Sequence, residues 1–448
     1  MARLLVAVLV LGGLGTNEAR AARYTLKQLI DKVTREYPGV KAAEASVDAS
    51  RAQYAQARRS WAPTGDLSIQ AGTTPSVVCL ENDPATKLPY KFPGSTADDQ
   101  RCNAHWDNWT FALNLGLNIT QPIYTFGKIE AATATARAGI DASKGYLAAA
   151  KADVVVNAMR AYWSLKWARA ARDTLDEGLD KLKEWIAKVE DDLNASRGGY
   201  NEGDLARLKI ALDEGLLNRG DIIRGLQVAE AGLKIITDDP QADVDDAELD
   251  MMEVAARPVS FWLDAAFVHR PESRLLQANV DAQKGYHRWR FADMLPDFGA
   301  QISAGFYFAP GINSPTVSKT GSLSAVLALR SPIDWGVRYG RLEQARADEL
   351  AATYRRRRDL GGIAVEVDQA FANAEEARHR ADTLAHSAKV ARGWFVSVDQ
   401  NMAAGLVTDG REAVDAARSY FGYRIRYLQA ILDTNMTLVA LRRATGVE

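Results

Sequence analysis

Histidine and cysteine are scarce in this chain of 448 residues, with five of one and two of the other. The histidines His105, His269, His287, His379 and His386 form no H-E-x-x-H and no compact cluster, and the cysteines form no C-x-x-C. The spacing that a metal site or a dithiol centre needs is therefore absent. Charge of one sign is lacking too. A formal net charge of -2 excludes the basic footprint of a nucleic-acid binder. No Gly-rich phosphate loop, nucleophile elbow or paired-carboxylate site stands out, so neither catalysis nor a cofactor is expected. Beyond residue 21 there is no run of 18 apolar residues, and no helix is expected to cross a membrane.

Proline is missing from 128–196. At 1.5 Å per residue that stretch makes a helix of roughly 100 Å, foreign to a compact globule and suited to coiled-coil packing. Its first half is rich in alanine, which lets neighbouring helices approach closely. A second such stretch runs over 337–402, and both end at glycine-bearing turns, Gly198-Gly199-Tyr200-Asn201-Glu202-Gly203-Asp204 and Gly405-Leu406-Val407-Thr408-Asp409-Gly410-Arg411. Shorter helices are expected at 38–62, 204–236 and 411–444.

The N-terminus has the layout of a secretory leader: Arg3, an apolar run over 4–14, then Ala19-Arg20-Ala21. Residues 1–21 are read as a signal peptide, and no cysteine follows the run to carry a lipid anchor. An exported chain without an apolar helix is secreted, periplasmic, or an outer-membrane strand protein. In an oxidising compartment Cys79 and Cys102 are expected to pair and staple the loop that holds them.

The chain repeats itself. Pro38, Val47-Asp48-Ala49 and Pro63 recur as Pro271, Val280-Asp281-Ala282 and Pro296, each displaced by 233 residues. Gly127 and Ala136-Arg137-Ala138 recur as Gly336 and Ala345-Arg346-Ala347, displaced by 209. The first copy therefore carries an exposed loop that the second lacks. The copies are read as 22–236 and 259–448. Between them, 237–258 is read as a solvated acidic connector.

Four strands are expected, near 65–73, 110–120, 298–308 and 321–330, with Pro63, Pro122, Pro296 and Pro332 marking the joins between strand and helix. They alternate. In the second strand Phe111, Leu113, Leu115, Leu117 and Ile119 share one face, and Ala112, Asn114, Gly116 and Asn118 share the other. Strands of this length, apolar on one face and small and polar on the other, suit a membrane wall with the Phe/Leu/Ile face toward lipid. Four strands leave two edges unpaired, which lipid does not tolerate, so at least two chains must close the barrel.

The leader, the two repeats, Gln121-Pro122-Ile123 and Ser331-Pro332-Ile333 leading into alanine-rich helices, and the glycine turns together resemble the TolC-like outer-membrane efflux protein family. The resemblance covers essentially the whole mature chain. It implies a mainly α fold with a membrane β-barrel: a homotrimer whose twelve strands form one barrel, continued by a long α-helical barrel across the periplasm. It further implies a passive exit duct of a tripartite efflux or type I secretion system. The partners implied are a periplasmic adaptor (membrane fusion) protein and an inner-membrane transporter, with outer-membrane lipid around the barrel. The family closes its helix tips with a charged pair and a carboxylate ring. Position by position, Asp204 and Arg411 match the pair and Asp415 a constricting carboxylate. Arg418 stands where the best-known members carry a second acid, and Leu406 replaces the family's gate tyrosine. Asp204 is equally open to a helix-capping role. A periplasmic adaptor-like coiled-coil protein without a pore is the alternative reading, and the paired alternating strands argue against it.

Overall fold

The computed structural model describes residues 23–80, 101–195, 199–253, 257–313, 319–404, 406 and 409–447, without the side chains of 78–80, 101–103 and 313. The leader at 1–21, the loop 81–100, and Gly198 and Gly405 of the two turns lie outside the described residues, as do the side chains of Cys79 and Cys102.

In chain order the elements are β1 (Arg23–Tyr24), α1 (Leu26–Glu36), α2 (Pro38–Arg59), β2 (Thr64–Leu80), β3 (Arg101–Tyr124), α3 (Lys128–Asn194), α4 (Glu202–Thr237), β4 (Asp243–Val244), α5 (Val259–His269), α6 (Pro271–Ala292), β5 (Asp297–Phe308), β6 (Ile312–Asn313), β7 (Lys319–Arg330), α7 (Trp335–Ala403) and α8 (Gly410–Thr445). The helices match in length across the two halves. α1 and α5 have 11 residues each, α2 and α6 have 22, α4 and α8 have 36, and α3 and α7 have 67 and 69. Both 22-residue helices start at a proline, which is tolerated in a first turn because the missing N–H has no partner there anyway.

The chain forms two compact units that cut across the repeats. One comprises Val47–Ser143 and Leu276–Arg356 and holds the larger sheet. Its strand order is β6-β2-β3-β5-β7, with the four long strands antiparallel to their neighbours. The β2–β3 hairpin extends well past the expected ends, with a register shift between Pro75 and Ser76. Pro122 does not mark a join. It lies inside β3 beside a register shift, paired with Gly299. By then β2 has ended at Thr64, opposite Thr120, so β3 has one neighbour and a residue without an N–H fits. The turn into α3 is made instead by Phe126 and Gly127, whose φ values of 51° and 89° are left-handed. Glycine adopts that region freely, whereas Phe126 does so against its Cβ. Pro63 immediately precedes β2, Pro296 immediately precedes β5, and Pro332 lies between β7 and α7. At the foot of the sheet Lys128 Nζ donates to Asp297 Oδ2 at 2.8 Å, and Arg338 reaches Asp293 and Asp334 at 2.6 Å each.

The other unit comprises Met1–Ser46, Lys144–Leu275 and Arg357–Glu448. One core cluster gathers Leu29 and Val33 of α1, Val154 to Leu165 of α3, Leu233 of α4, and Ile431 and Val439 of α8. A second gathers Trp185 and Val189, Leu208, Phe395 and Met402, and Tyr420 and Phe421. The acidic segment 237–258 is not a free solvated connector. β4 pairs in parallel with β1, Val244 is fully buried, and Asp243 and Asp245 hold Arg169 and Lys166 at 2.5 Å. Sequence alone concealed this because the two basic partners lie far upstream in α3.

Candidate functional site

Two regions hold the residues singled out in the sequence: the sheet and the tips of the long helices. Directly opposed residues of antiparallel strands share a face, so the register fixes the composition of each side of the sheet. Leu67, Leu117, Ala304 and Leu323 form one row, and Ile69, Leu115 and Phe306 form the next. Leu113 with Phe308, and Ile119 with Ile302, continue that side, and Phe111 lies opposite Thr73 at its outer end. The face is therefore apolar across all four strands. On the other side Asn114 Nδ2 donates to Gln70 Oε1 at 3.4 Å, Asn118 Nδ2 to Asp66 Oδ2 at 3.5 Å, and Ser303 and Ser324 hydroxyls meet at 2.7 Å. Aromatic side chains stand exposed at both ends of the apolar region: Trp106 and Trp109 in edge-to-face contact at one end, and Trp61, Tyr124, Phe126 and Trp335 at the other. Such girdles suit the two polar borders of a bilayer.

The α4 tip is a closed capping box. Asn201 is the N-cap, its Oδ1 accepting from Asp204 N at 3.0 Å while Asn201 N donates to Asp204 Oδ2 at 3.1 Å. Asp204 is 3% exposed, and its other oxygen accepts from Arg207 Nη1 at 3.1 Å. The structure thus assigns Asp204 a helix-capping position. It also brings the α8 tip against it: a Cβ added at Gly410 would lie 2.5 Å from Asp204 Cβ. Asp409 caps α8 by accepting from Arg411 N at 2.9 Å. The Arg411 guanidinium is exposed and makes no ion pair among the described residues. Arg411, Asp415 and Arg418 follow at helical intervals on one exposed face of α8. Arg418 donates to Glu214 of α4 at 2.7 Å.

Sequence reasoning missed several tip residues. Lys188 of α3 donates to the carbonyls of Met402 and Ala403, placing a cation at the C-terminal end of α7, where the helix dipole favours one. Trp185 Nε1 donates to Asp399 Oδ1 at 3.0 Å. Tyr200 tucks its hydroxyl into the protein without a partner among the described residues, and burial, then Asp192 and Asp204, push its phenol up. None of these residues has a local spacing signal, because each acts through a helix distant in sequence. Among the described residues no three potential metal ligands come together, and no helix is long and apolar enough to cross a membrane.

A sheet whose four long strands present one apolar and one polar face, joined in sequence to helices of 67 and 69 residues, defines a class: a channel-forming subunit of an outer membrane. Comparison with known proteins agrees. The family profile described as outer membrane efflux protein matches residues 29–203 and 262–447, and the chain belongs to that family. Among solved structures it is similar to the open-state MtrE outer membrane channel of Neisseria gonorrhoeae, at 18% identity over 94% of this chain and 88% of that one, with a TM-score of 0.74. It is similar to the Campylobacter jejuni CmeC outer membrane channel at 16% identity, over 100% and 94%, with a TM-score of 0.74. The outer membrane protein VceC of Vibrio cholerae matches at 17% identity, over 94% and 96%, with a TM-score of 0.71. At such identities the likeness carries the fold. No curated protein sequence matches. The protein is an outer-membrane exit duct of an efflux system, extending into the periplasm, and its family is one of channels and not of enzymes.

Proposed function

We propose that three copies close their sheets into one twelve-stranded barrel, apolar face to lipid and polar face to a water-filled lumen. The observation that supports this reading is the pair of open edges. Among the described residues β7 pairs with β5 alone, and β2 is covered by β6 only at Val77 and Val78. In lipid every backbone N–H and C=O needs a partner, and another copy of the same sheet supplies it. Light scattering of the detergent-solubilised protein is expected to give the mass of three chains, and a monomer would overturn the reading.

The duct would receive its cargo from an inner-membrane transporter through a periplasmic adaptor. Arg411 and Asp415 would line the narrow end, with Asp204 and Gly410 setting the spacing of the tips behind them and Arg418 tied to Glu214. Arg411→Ser is expected to raise the conductance of single channels in planar bilayers. Asp415→Asn is expected to lower cation preference, read as a smaller reversal potential in a KCl gradient. An unchanged conductance and an unchanged reversal potential would remove these two residues from the constriction.

Cys79 and Cys102 would form a disulfide. Their Cα atoms are direct cross-strand partners, a spacing of about 4.5–5.5 Å in antiparallel sheets that lies inside the range disulfides span. Peptide mapping without reductant is expected to recover the two cysteines in one linked fragment. Free, alkylatable thiols in the exported protein would count against the link.

A further inference from the structure

We propose that Asp66 forms a carboxylate ring inside the strand-lined part of the duct and makes that passage selective for cationic over anionic solutes. The inference rests on the barrel-closing reading above. Its basis is the polar face of the sheet read row by row. From the row of Tyr307 and Thr320 down to that of Pro122, Gly299 and Ala328, the uncharged residues of the face are Gln, Asn, Ser, Thr, Gly, Ala, one Tyr, one Val and one Pro. Asp66 is the one charged side chain on it among the described residues. It is exposed, and Asn118 Nδ2, donating to its Oδ2 at 3.5 Å, steadies the carboxylate on the next strand.

Further charges of this face stand at its foot. Asp297 is held by Lys128 Nζ at 2.8 Å, and its Cα partner across the strands is Arg330. That row lies six residues along β5 from Ser303, the residue in the Asp66 row, or about 20 Å at the rise of a strand. Twenty ångströms exceeds two Debye lengths at physiological ionic strength, about 8 Å each, so Arg330 does not cancel Asp66. Closing the barrel repeats Asp66 once per copy at one height. Like charges around a water-filled passage with low-dielectric walls focus the field and concentrate counter-ions there.

A cysteine in the same row reports that field directly and separates it from the helix tips. Ser303→Cys stands two strands from Asp66, about 10 Å at the spacing of a sheet. Outer-membrane vesicles bearing Ser303→Cys are exposed to a trimethylammonium and to a sulfonate methanethiosulfonate reagent. Each rate is normalised to that of a free thiol and corrected with the chain lacking the substitution. The cationic reagent is expected to react about tenfold faster, and Asp66→Asn to bring the two rates together. If both reagents react equally while Asp66 is present, or if the preference survives Asp66→Asn, the ring is refuted and the duct stands. If neither reagent reaches the cysteine, the lumen assignment itself fails and takes the ring with it.

Discussion

Leu323→Arg is expected to remove the protein from the outer membrane, while Ser324→Arg, one residue further along β7, leaves it assembled. Leu323 is 79% exposed in the single chain, so replacing it disturbs little of the protomer's own packing. Its row holds Leu67, Leu117 and Ala304, all on the apolar face. Arginine near the middle of a bilayer on the lipid face of a barrel costs about 2–4 kcal/mol. A ring of copies repeats the cost, so three copies lose about 6–12 kcal/mol, which rivals the whole folding stability of a typical domain. Ser324 faces the other way. Its loss forfeits the hydroxyl contact to Ser303 at 2.7 Å, worth about 1 kcal/mol, and an arginine there meets water. Membrane fractionation and heat-modifiable migration of the two variants check the contrast. Equal fates for the two variants would refute the assignment of faces.

That contrast rests on alternation, the part of the fold most legible in the sequence. Phe111 to Ile119 and Leu323 to Leu329 announce their faces because each strand segment meets two solvents, and a one-residue slip would exchange them. The long helices were legible for a different reason: no proline interrupts them. The outer reach of β2 and β3 was not, because the register shifts past Pro75 and the alternation lapses through Trp106, Asp107 and Asn108. Pro122 misled because a proline reads as a strand end unless the partner on one side is known to have stopped. At the helix tips, equal spacing from two glycines placed Asp204 and Arg411 at equivalent points of the repeat. Spacing could not reveal that Asn201 and Arg207 occupy the Asp204 carboxylate, nor that Gly410 must be bare to let it fit. The acidic segment failed in the same way. Its charges looked solvated because Lys166, the residue that binds one of them, sits in an otherwise unremarked turn of α3.

Asp245→Asn is expected to destabilise the helical unit by about 3 kcal/mol, the low end for breaking a buried ion pair because Asp245 keeps some contact with water. The Lys166 side chain is 4% exposed, and its ammonium reaches Asp245 Oδ1 at 2.5 Å and the Ala247 carbonyl at 2.9 Å. Tyr162 donates its hydroxyl to the same carboxylate at 3.1 Å. Burial works against the charge on Lys166, yet Asp245 and Tyr162 outweigh it and hold the ammonium above the usual lysine range. Burial likewise works against charge on Asp245, and Lys166, Tyr162 and the Ala247 N–H together outweigh it, holding the carboxyl below its ordinary value. Glu272 follows the same pattern beside Arg443. A depressed carboxyl adds stability that is complete above its unfolded value, about 4, and is lost as pH falls through the lower folded value. A raised lysine adds stability present below about 10.4 and lost only as pH rises through its higher folded value. The wild-type unfolding midpoint should therefore stay level from about pH 6 to 9 and fall in acid. Asp245→Asn should lower the plateau and flatten part of the acid fall, with Glu272 and Asp239 among the carboxyls that supply the rest. Adding Lys166→Met removes the stranded ammonium while the amide oxygen introduced by Asp245→Asn still accepts from Tyr162, so the double variant should recover at least half of the loss. A double variant no more stable than the single one would mean that Lys166 does not need Asp245 in order to be buried.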